Sequence, residues 1–296
     1  MHCHSVPRLV LLVLLLACTS CADFSEGGGV CAAITDPRPT VQVYDPSGFG
    51  WRFGTPLLVD TYSVRCTTVS DQIYAMTESS FFRLDLVAKS WVPLAFPVGF
   101  GGRGSDIAAL GSDIYFLSGG VEVEVYDTAT DTWTPGPPLL EPRWSPRAVV
   151  VGGILYAMAG GSTATLEALD PAVGAWSYRA NLPADPVTPA VETAGGRIYV
   201  MWGTVWIYDP AADSWTDGPD MPAFAYRPEA AAIGDDIYVI GSFGNGDHKR
   251  TYRLRTTTLV WQESSPRRRS RYDSGAAAAD GFIYSVGGHA PNPCTP

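Results

Sequence analysis

Charge is scarce in this chain: 17% of its 296 residues are Asp, Glu, Lys or Arg, against roughly a quarter in ordinary globular proteins. Basic charge is the scarcer kind, with 20 Lys and Arg against 30 Asp and Glu and a formal net charge of −10. That balance excludes wholesale binding to nucleic acid or to an anionic membrane. Histidine occurs only at positions 2, 4, 248 and 289. No apolar run reaches the ~18 residues of a transmembrane helix. Beyond residue 22 there is no C-x-x-C, H-E-x-x-H, G-x-S-x-G or P-loop, so the common metal, redox, hydrolase and nucleotide signatures are missing. What is abundant is Gly (31) and Pro (24), beside an apolar share of 46%. So many turn formers with that much core material point to an all-β protein of many short strands.

Residues 1–22 have the layout of an export signal: His2, His4 and Arg8, then the apolar run 9–17, then small and polar residues. Within it, Leu15-Leu16-Ala17-Cys18 resembles a bacterial lipobox, which implies lipidation at Cys18. Cys21 is the rival, and ordinary cleavage near Ala22 the alternative. The expectation is an exported lipoprotein of the bacterial envelope, or a secreted or periplasmic soluble protein if cleavage is ordinary. Contact with a membrane is expected through the anchor alone. Residues 23–40, with Gly27-Gly28-Gly29 and Asp36-Pro37-Arg38-Pro39, have no apolar period and read as a tether. Residues 41–296 remain as a single domain.

That domain is repetitive. Trp51, Trp91, Trp133, Trp176, Trp215 and Trp261 fall 40, 42, 43, 39 and 46 residues apart. Seven positions before each stands Tyr44, Leu84, Tyr126, Leu169, Tyr208 or Leu254, followed by Asp in five copies and by Arg255 in the last. Each repeat also holds an apolar run ending in Ile-Tyr or Leu-Tyr, such as Ile114-Tyr115 and Leu155-Tyr156, with glycine soon after in all but the first. The pattern predicts four short strands per repeat: a small-residue strand, an Ile-Tyr strand, a Tyr-Asp strand and a Trp strand. Asp after the third strand suits a turn closed by its own side chain, and the turn brings the aromatic pair together across a hairpin.

The double glycine, the Tyr-Asp pair and the downstream Trp resemble the kelch repeat over residues 41–290. Kelch repeats build β-propellers. Residues 41–51 contain only third and fourth strands, whereas residues 271–288 contain only first and second ones. Joined, they complete a sixth blade, so the expected fold is a six-bladed propeller closed by a split blade, without open sheet edges. Two departures stand out: Thr77-Glu78 replaces the double glycine of the first full repeat, and Leu254-Arg255 replaces Tyr-Asp in the fifth. Cys31, Cys66 and Cys294 remain beyond the signal, an odd number for an oxidising compartment. Cys31 and Cys294 flank the two half-blades, so a disulfide between them would lock the ring. Cys66, aligned with Ala230 and Ala276, reads as a buried thiol and is the competing partner for either.

Chemistry is thin. Some extracellular kelch proteins resemble the copper radical oxidases, but their two-Tyr, two-His and Cys–Tyr set has no match here, and no metal, cofactor or catalytic residue is assigned. The family also includes a periplasmic sialic acid mutarotase. That resemblance implies an acid or base and cations for a carboxylate, and the candidates are Glu192 and Glu229 in first strands, with Arg227 close to the latter. His248 and His289 follow the glycine end of second strands in adjacent repeats and belong to one face. The Asp-rich turns at 127–131 and 209–213 have the spacing of the repeat turn and not of a calcium loop.

Residues 248–271 hold eight basic residues and one acid, Glu263, in an otherwise acidic chain. Arg65, Arg103, Arg143, Arg227 and Arg271 precede or open first strands, so they are expected around one mouth of the ring with Lys249, Arg250, Arg267, Arg268 and Arg269. Guanidinium forks suit carboxylate, sulfate or phosphate groups. The expected function is a non-catalytic binding module whose loop face holds a protein or an acidic glycan. The alternatives are an envelope enzyme acting on carbohydrate, such as a mutarotase, and a structural envelope component.

Overall fold

The computed structural model describes residues 40–57, 59, 61, 63–97, 104–161, 164–243, 249–271 and 273–289; for residues 226, 242 and 243 it describes the backbone alone. Cys18, Cys21, Cys31, Cys294, Arg103 and His248 lie outside the described residues, so the lipidation site and the disulfide lie outside them too. The described residues form six four-stranded antiparallel sheets and no helix. The chain enters with β1 (Val41–Asp45) and β2 (Gly50–Phe53). Five meanders follow: β3 (Arg65–Val69) to β6 (Ser90–Leu94), β7 (Asp106–Leu110) to β10 (Thr132–Pro135), β11 (Arg147–Val151) to β14 (Ala175–Arg179), β15 (Ala190–Ala194) to β18 (Ser214–Asp217), and β19 (Ala225–Ile233) to β22 (Val260–Ser264). It ends in β23 (Gly275–Ala279) and β24 (Phe282–Val286). We number the meanders blades 1 to 5.

The last sheet runs β2-β1-β24-β23, with Val41 opposite Val286 and Tyr44 opposite Ile283. Blade 6 is therefore shared between the two ends of the chain, which closes the ring and removes two exposed edges. The innermost strands, β3, β7, β11, β15, β19 and β23, are built largely of Ala, Val and Thr. Small side chains let them converge while leaving an axial channel.

The periodic tryptophan has a specific task. Each indole Nε1–H donates to the carbonyl four residues beyond the tryptophan of the preceding blade: Trp91 to Thr55, Trp133 to Ala95, Trp176 to Pro137, Trp215 to Ala180, Trp261 to Pro219 and Trp51 to Ser265, all at 2.8–3.0 Å. One tie thus joins every pair of neighbours, including the pair across the split blade. Within the hairpins, Tyr126 lies opposite Trp133 and Tyr208 opposite Trp215, with ring centroids 5.0 Å apart in both pairs. The turn aspartates Asp45, Asp85, Asp127, Asp170 and Asp209 each accept the backbone N–H two residues on, at 2.8–3.0 Å. Where Arg255 replaces Asp, it forks instead onto Asp236 at 3.0 and 3.1 Å and fixes the turn from outside.

Candidate functional site

The channel is layered. At one end, Ser63, Gly104, Ser145, Thr188, Arg227 and Asp273 line a cavity of about 310 Å³ together with Arg65, Glu78 and His289. Five of the first six stand two residues before their innermost strand begins, and Arg227 stands within β19 at its bulge, two residues before Glu229, so every blade contributes one residue to the mouth. Four of these positions have left-handed backbone: Gly104 (φ 69°), Thr188 (50°), Arg227 (46°) and Asp273 (59°). For Thr, Arg and Asp this is a strained conformation. At Gly104 a Cβ would lie 2.2 Å from the Trp144 carbonyl oxygen, so only glycine fits. Glu78, which replaces the glycine of the other repeats, turns to the mouth and accepts the Ser63 N–H at 2.7 Å and the Thr61 hydroxyl at 2.9 Å.

The next level is charged. Arg65 reaches Glu229 at 3.0 Å, Asp273 at 3.5 Å and Asp106 at 3.9 Å; Arg147 reaches Glu229 at 3.4 Å; Arg227 bonds to Asp273. Main-chain acceptors hold the guanidiniums in place, Ser105 O for Arg65 Nε at 3.2 Å and Pro189 O for Arg147 Nε at 2.7 Å. Asp106 accepts the Ala148 N–H of the next blade at 2.9 Å. Burial opposes the charge on Arg65, yet Glu229, Asp106 and Asp273 outweigh it and hold its pKa above the ordinary value. For Glu229 burial wins over Arg147 and Arg65, and its pKa is raised.

Below the charged ring lies a cavity of about 260 Å³ walled by the innermost strands, among them Cys66, Thr67, Glu192, Ala231 and Ala277. Glu192 accepts the Thr193 N–H at 2.8 Å. Its removal from water pushes its pKa up to about 7, against the Thr193 hydrogen bonds and with a contribution from Asp106. Cys66, also in the wall, has its thiol pKa raised by burial.

Comparison with known proteins agrees with this geometry. Human Kelch repeat and BTB domain-containing protein 13 is 33% identical over 106 residues, covering 32% of this chain and 23% of that protein. The solved structure of YjhT superposes with a TM-score of 0.68 over 79% of this chain and 92% of its own, at 15% identity. The chain folds as a six-bladed β-propeller whose repeats resemble the kelch repeat. Residues 93–200 also match a family described only as a protein of unknown function, DUF1668. The matched region spans about a quarter of the human protein's length.

Within this propeller the arginines picked out from sequence separate into three groups. Arg65 and Arg227 do stand at the mouth, but among carboxylates, so the mouth is of mixed sign and not the cationic ring expected. Arg143 is fully buried in blade 3, where it pairs with Glu167 at 2.9 Å and donates to Ala159 O and Thr165. Arg267 and Arg271 are likewise interior. Arg267 donates to Ser285 and to the Arg271 carbonyl, and Arg271 donates to Thr40 and Gly288. Burial lowers the pKa of Arg267 to about 9, with Arg271 adding repulsion. These three serve as struts, their guanidiniums turned into the protein and held by Glu167, by the Thr165, Ser285 and Thr40 hydroxyls and by main-chain carbonyls. Arg268 and Arg269 are exposed beside β2, where Arg268 donates to Trp51 O at 2.6 Å and Arg269 lies 5.4 Å from the Phe53 ring centre. The cationic seam therefore flanks the outer wall of blade 6. His289 borders the mouth.

Asp106, Arg147 and Asp273 were not singled out from the sequence. The available signal was alignment of the repeats at the start of each small-residue strand, where charge stands in some copies and Ala190 or Gly275 in others.

Proposed function

We propose that this kelch propeller is a binding module whose axial mouth takes the end of an acidic glycan. One observation carries the reading. Arg147 Nη2, in the charged level beneath the mouth and in the wall of the inner cavity, and Asp273 Oδ1, in the mouth itself, are buried without a hydrogen bond of normal geometry; Glu229 lies 3.4 Å from the first and Arg65 3.5 Å from the second. Buried polar atoms are nearly always satisfied. A sugar acid answers both, its carboxylate at Arg147 and a hydroxyl donor at Asp273, while the hydroxyls of Ser63, Ser145 and Thr188 suit further sugar hydroxyls. A simple inorganic anion answers Arg147 but is repelled by Asp273. A cavity of about 310 Å³ accommodates one residue of a chain and not a folded protein surface.

Calorimetric titration with a panel of uronic and sialic acids tests this. The parent binds at least one of them, and Asp273→Asn weakens it about tenfold, the loss of one charged hydrogen bond. A parent that binds none overturns the reading. Export and lipidation at Cys18 belong to the same proposal; an acylated Cys18 in mass spectra supports them, and an unmodified start at or beyond Ala22 overturns the anchor.

Glu192 favours a second reading, an enzyme that exchanges sugar anomers. A carboxyl titrating at about 7 inside a cavity is poised for general acid–base work. As the C1–O5 bond breaks it would take the proton of the anomeric hydroxyl, which becomes the open-chain carbonyl, while water protonates the departing ring oxygen. Attack of that newly formed hydroxyl on the other face of the carbonyl reverses both transfers and closes the other anomer. Anomer exchange accelerated by the parent and abolished in Glu192→Gln supports this reading; exchange at the uncatalysed rate removes it.

A further inference from the structure

We infer that the mouth is extended by an aromatic shelf on blades 3 to 5, formed by Trp144, Val187 and Phe224, which stacks a neutral sugar ring of the same glycan next to its acidic end. The inference rests on the glycan reading of the mouth. Trp144 is 76% exposed, Val187 64% and Phe224 51%. Each lies on the segment that delivers a mouth residue: Trp144 immediately precedes Ser145, Val187 immediately precedes Thr188, and Phe224 stands three residues before Arg227. Of the other exposed apolar residues, Phe49, Val87, Val173 and Leu259 sit in the turns between third and fourth strands, at the far end of their blades. Single exposed residues of that kind are ordinary; a set carried by three consecutive blades, each on the segment that supplies a mouth residue, marks a contact surface.

The shelf is anchored by the main chain at Trp144 and by a ring contact at Phe224. Trp144 donates its backbone N–H to Gly160 O, and its carbonyl packs against Gly104. The Phe224 ring is braced edge-on by Trp202, centroids 6.1 Å apart at 67°. Rigid aromatic faces bind ligands with little ordering cost. Of the basic residues nearest in sequence, Arg143 and Arg147 are buried and turned inward to Glu167 and Glu229, and Arg227, three residues after Phe224, is paired with Asp273, so each cation beside the shelf already faces a carboxylate. It fits the apolar C–H face of a neutral sugar, while the acid group remains in the mouth.

The test uses the acidic sugar that the parent binds most tightly, as the free monosaccharide and as a trisaccharide extended by two neutral residues. The parent is expected to bind the trisaccharide about tenfold more tightly, the scale of one good stacking contact. Trp144→Ala should remove that gain and leave the monosaccharide affinity unchanged, Trp144→Phe should keep most of it, and trisaccharide alone should shift the tryptophan emission to the blue. Equal affinity for the two sugars, or an equal loss for both in Trp144→Ala, overturns the shelf while leaving the mouth intact. A parent that binds neither overturns the mouth and the shelf with it.

Discussion

Toward the outer wall of the propeller, one residue type does one job six times: an indole N–H from each blade meets the carbonyl four residues past the previous tryptophan. At the axial mouth, the six equivalent positions hold Ser63, Gly104, Ser145, Thr188, Arg227 and Asp273, and the level beneath alternates in sign without period. The wall follows the repeat because every blade must solve the same packing problem. The mouth departs from it because a ligand is not six-fold symmetric. Positions that repeat should therefore govern stability, and positions where the repeat fails should govern binding.

The largest effect tests the wall at its closure. Removing residues 41–53 takes away β1, β2 and the Trp51 tie, leaves the edge of β24 bare, and should abolish the cooperative melt followed by circular dichroism. Next come single struts. Trp176→Ala should cost about 3–5 kcal/mol in denaturant unfolding. Arg143→Ala should cost a similar ~3–5 kcal/mol, because it strands the buried Glu167 carboxylate. Replacing both partners, as Arg143→Met with Glu167→Leu, should recover much of that loss.

Glu192 gives a smaller effect with a definite sign. Its pKa is about 7 folded, against 4.5 as the ordinary value, so between those values the folded protein binds more protons than the unfolded one. Stability should fall as pH rises through this window and level off above about 7, for a total on the order of 3 kcal/mol. Glu192→Gln should flatten the slope and be the more stable protein at pH 8. The smallest effect is on the outer seam: Arg269→Glu should change stability by no more than about 0.5 kcal/mol, whereas Arg267→Ala, two residues earlier but interior, should cost about 3 kcal/mol.

The blades were legible because their contacts are local: Tyr126 and Trp133 are seven residues apart and meet across one turn, and the same offset recurs along the chain. The split blade followed from counting half-repeats. The fate of the arginines was not legible, because what decides it lies far away in sequence. Arg65 meets Glu229 across 164 residues, and Arg143 is drawn inward by Glu167, which stands on β13 (Leu166–Asp170). Arg143 and Arg267, in loops rich in Pro and Ser, have the local composition of surface residues. Nothing near them in the chain says that backbone carbonyls will surround them.

The most direct measurement sets one residue of each kind side by side, Trp176→Phe from the wall and Asp273→Asn from the mouth, each assayed for unfolding free energy and for affinity toward the acidic sugar that the parent binds. The account predicts that only one of them loses affinity. Trp176→Phe should lose about 1–2 kcal/mol of stability and bind as the parent does, while Asp273→Asn should bind about tenfold more weakly and, because it removes a buried charge paired with Arg65 and Arg227, lose about 3 kcal/mol of stability as well. If both variants lose stability and affinity together, or if Asp273→Asn binds as the parent does, the division between a repeating wall and a ligand-holding mouth is contradicted.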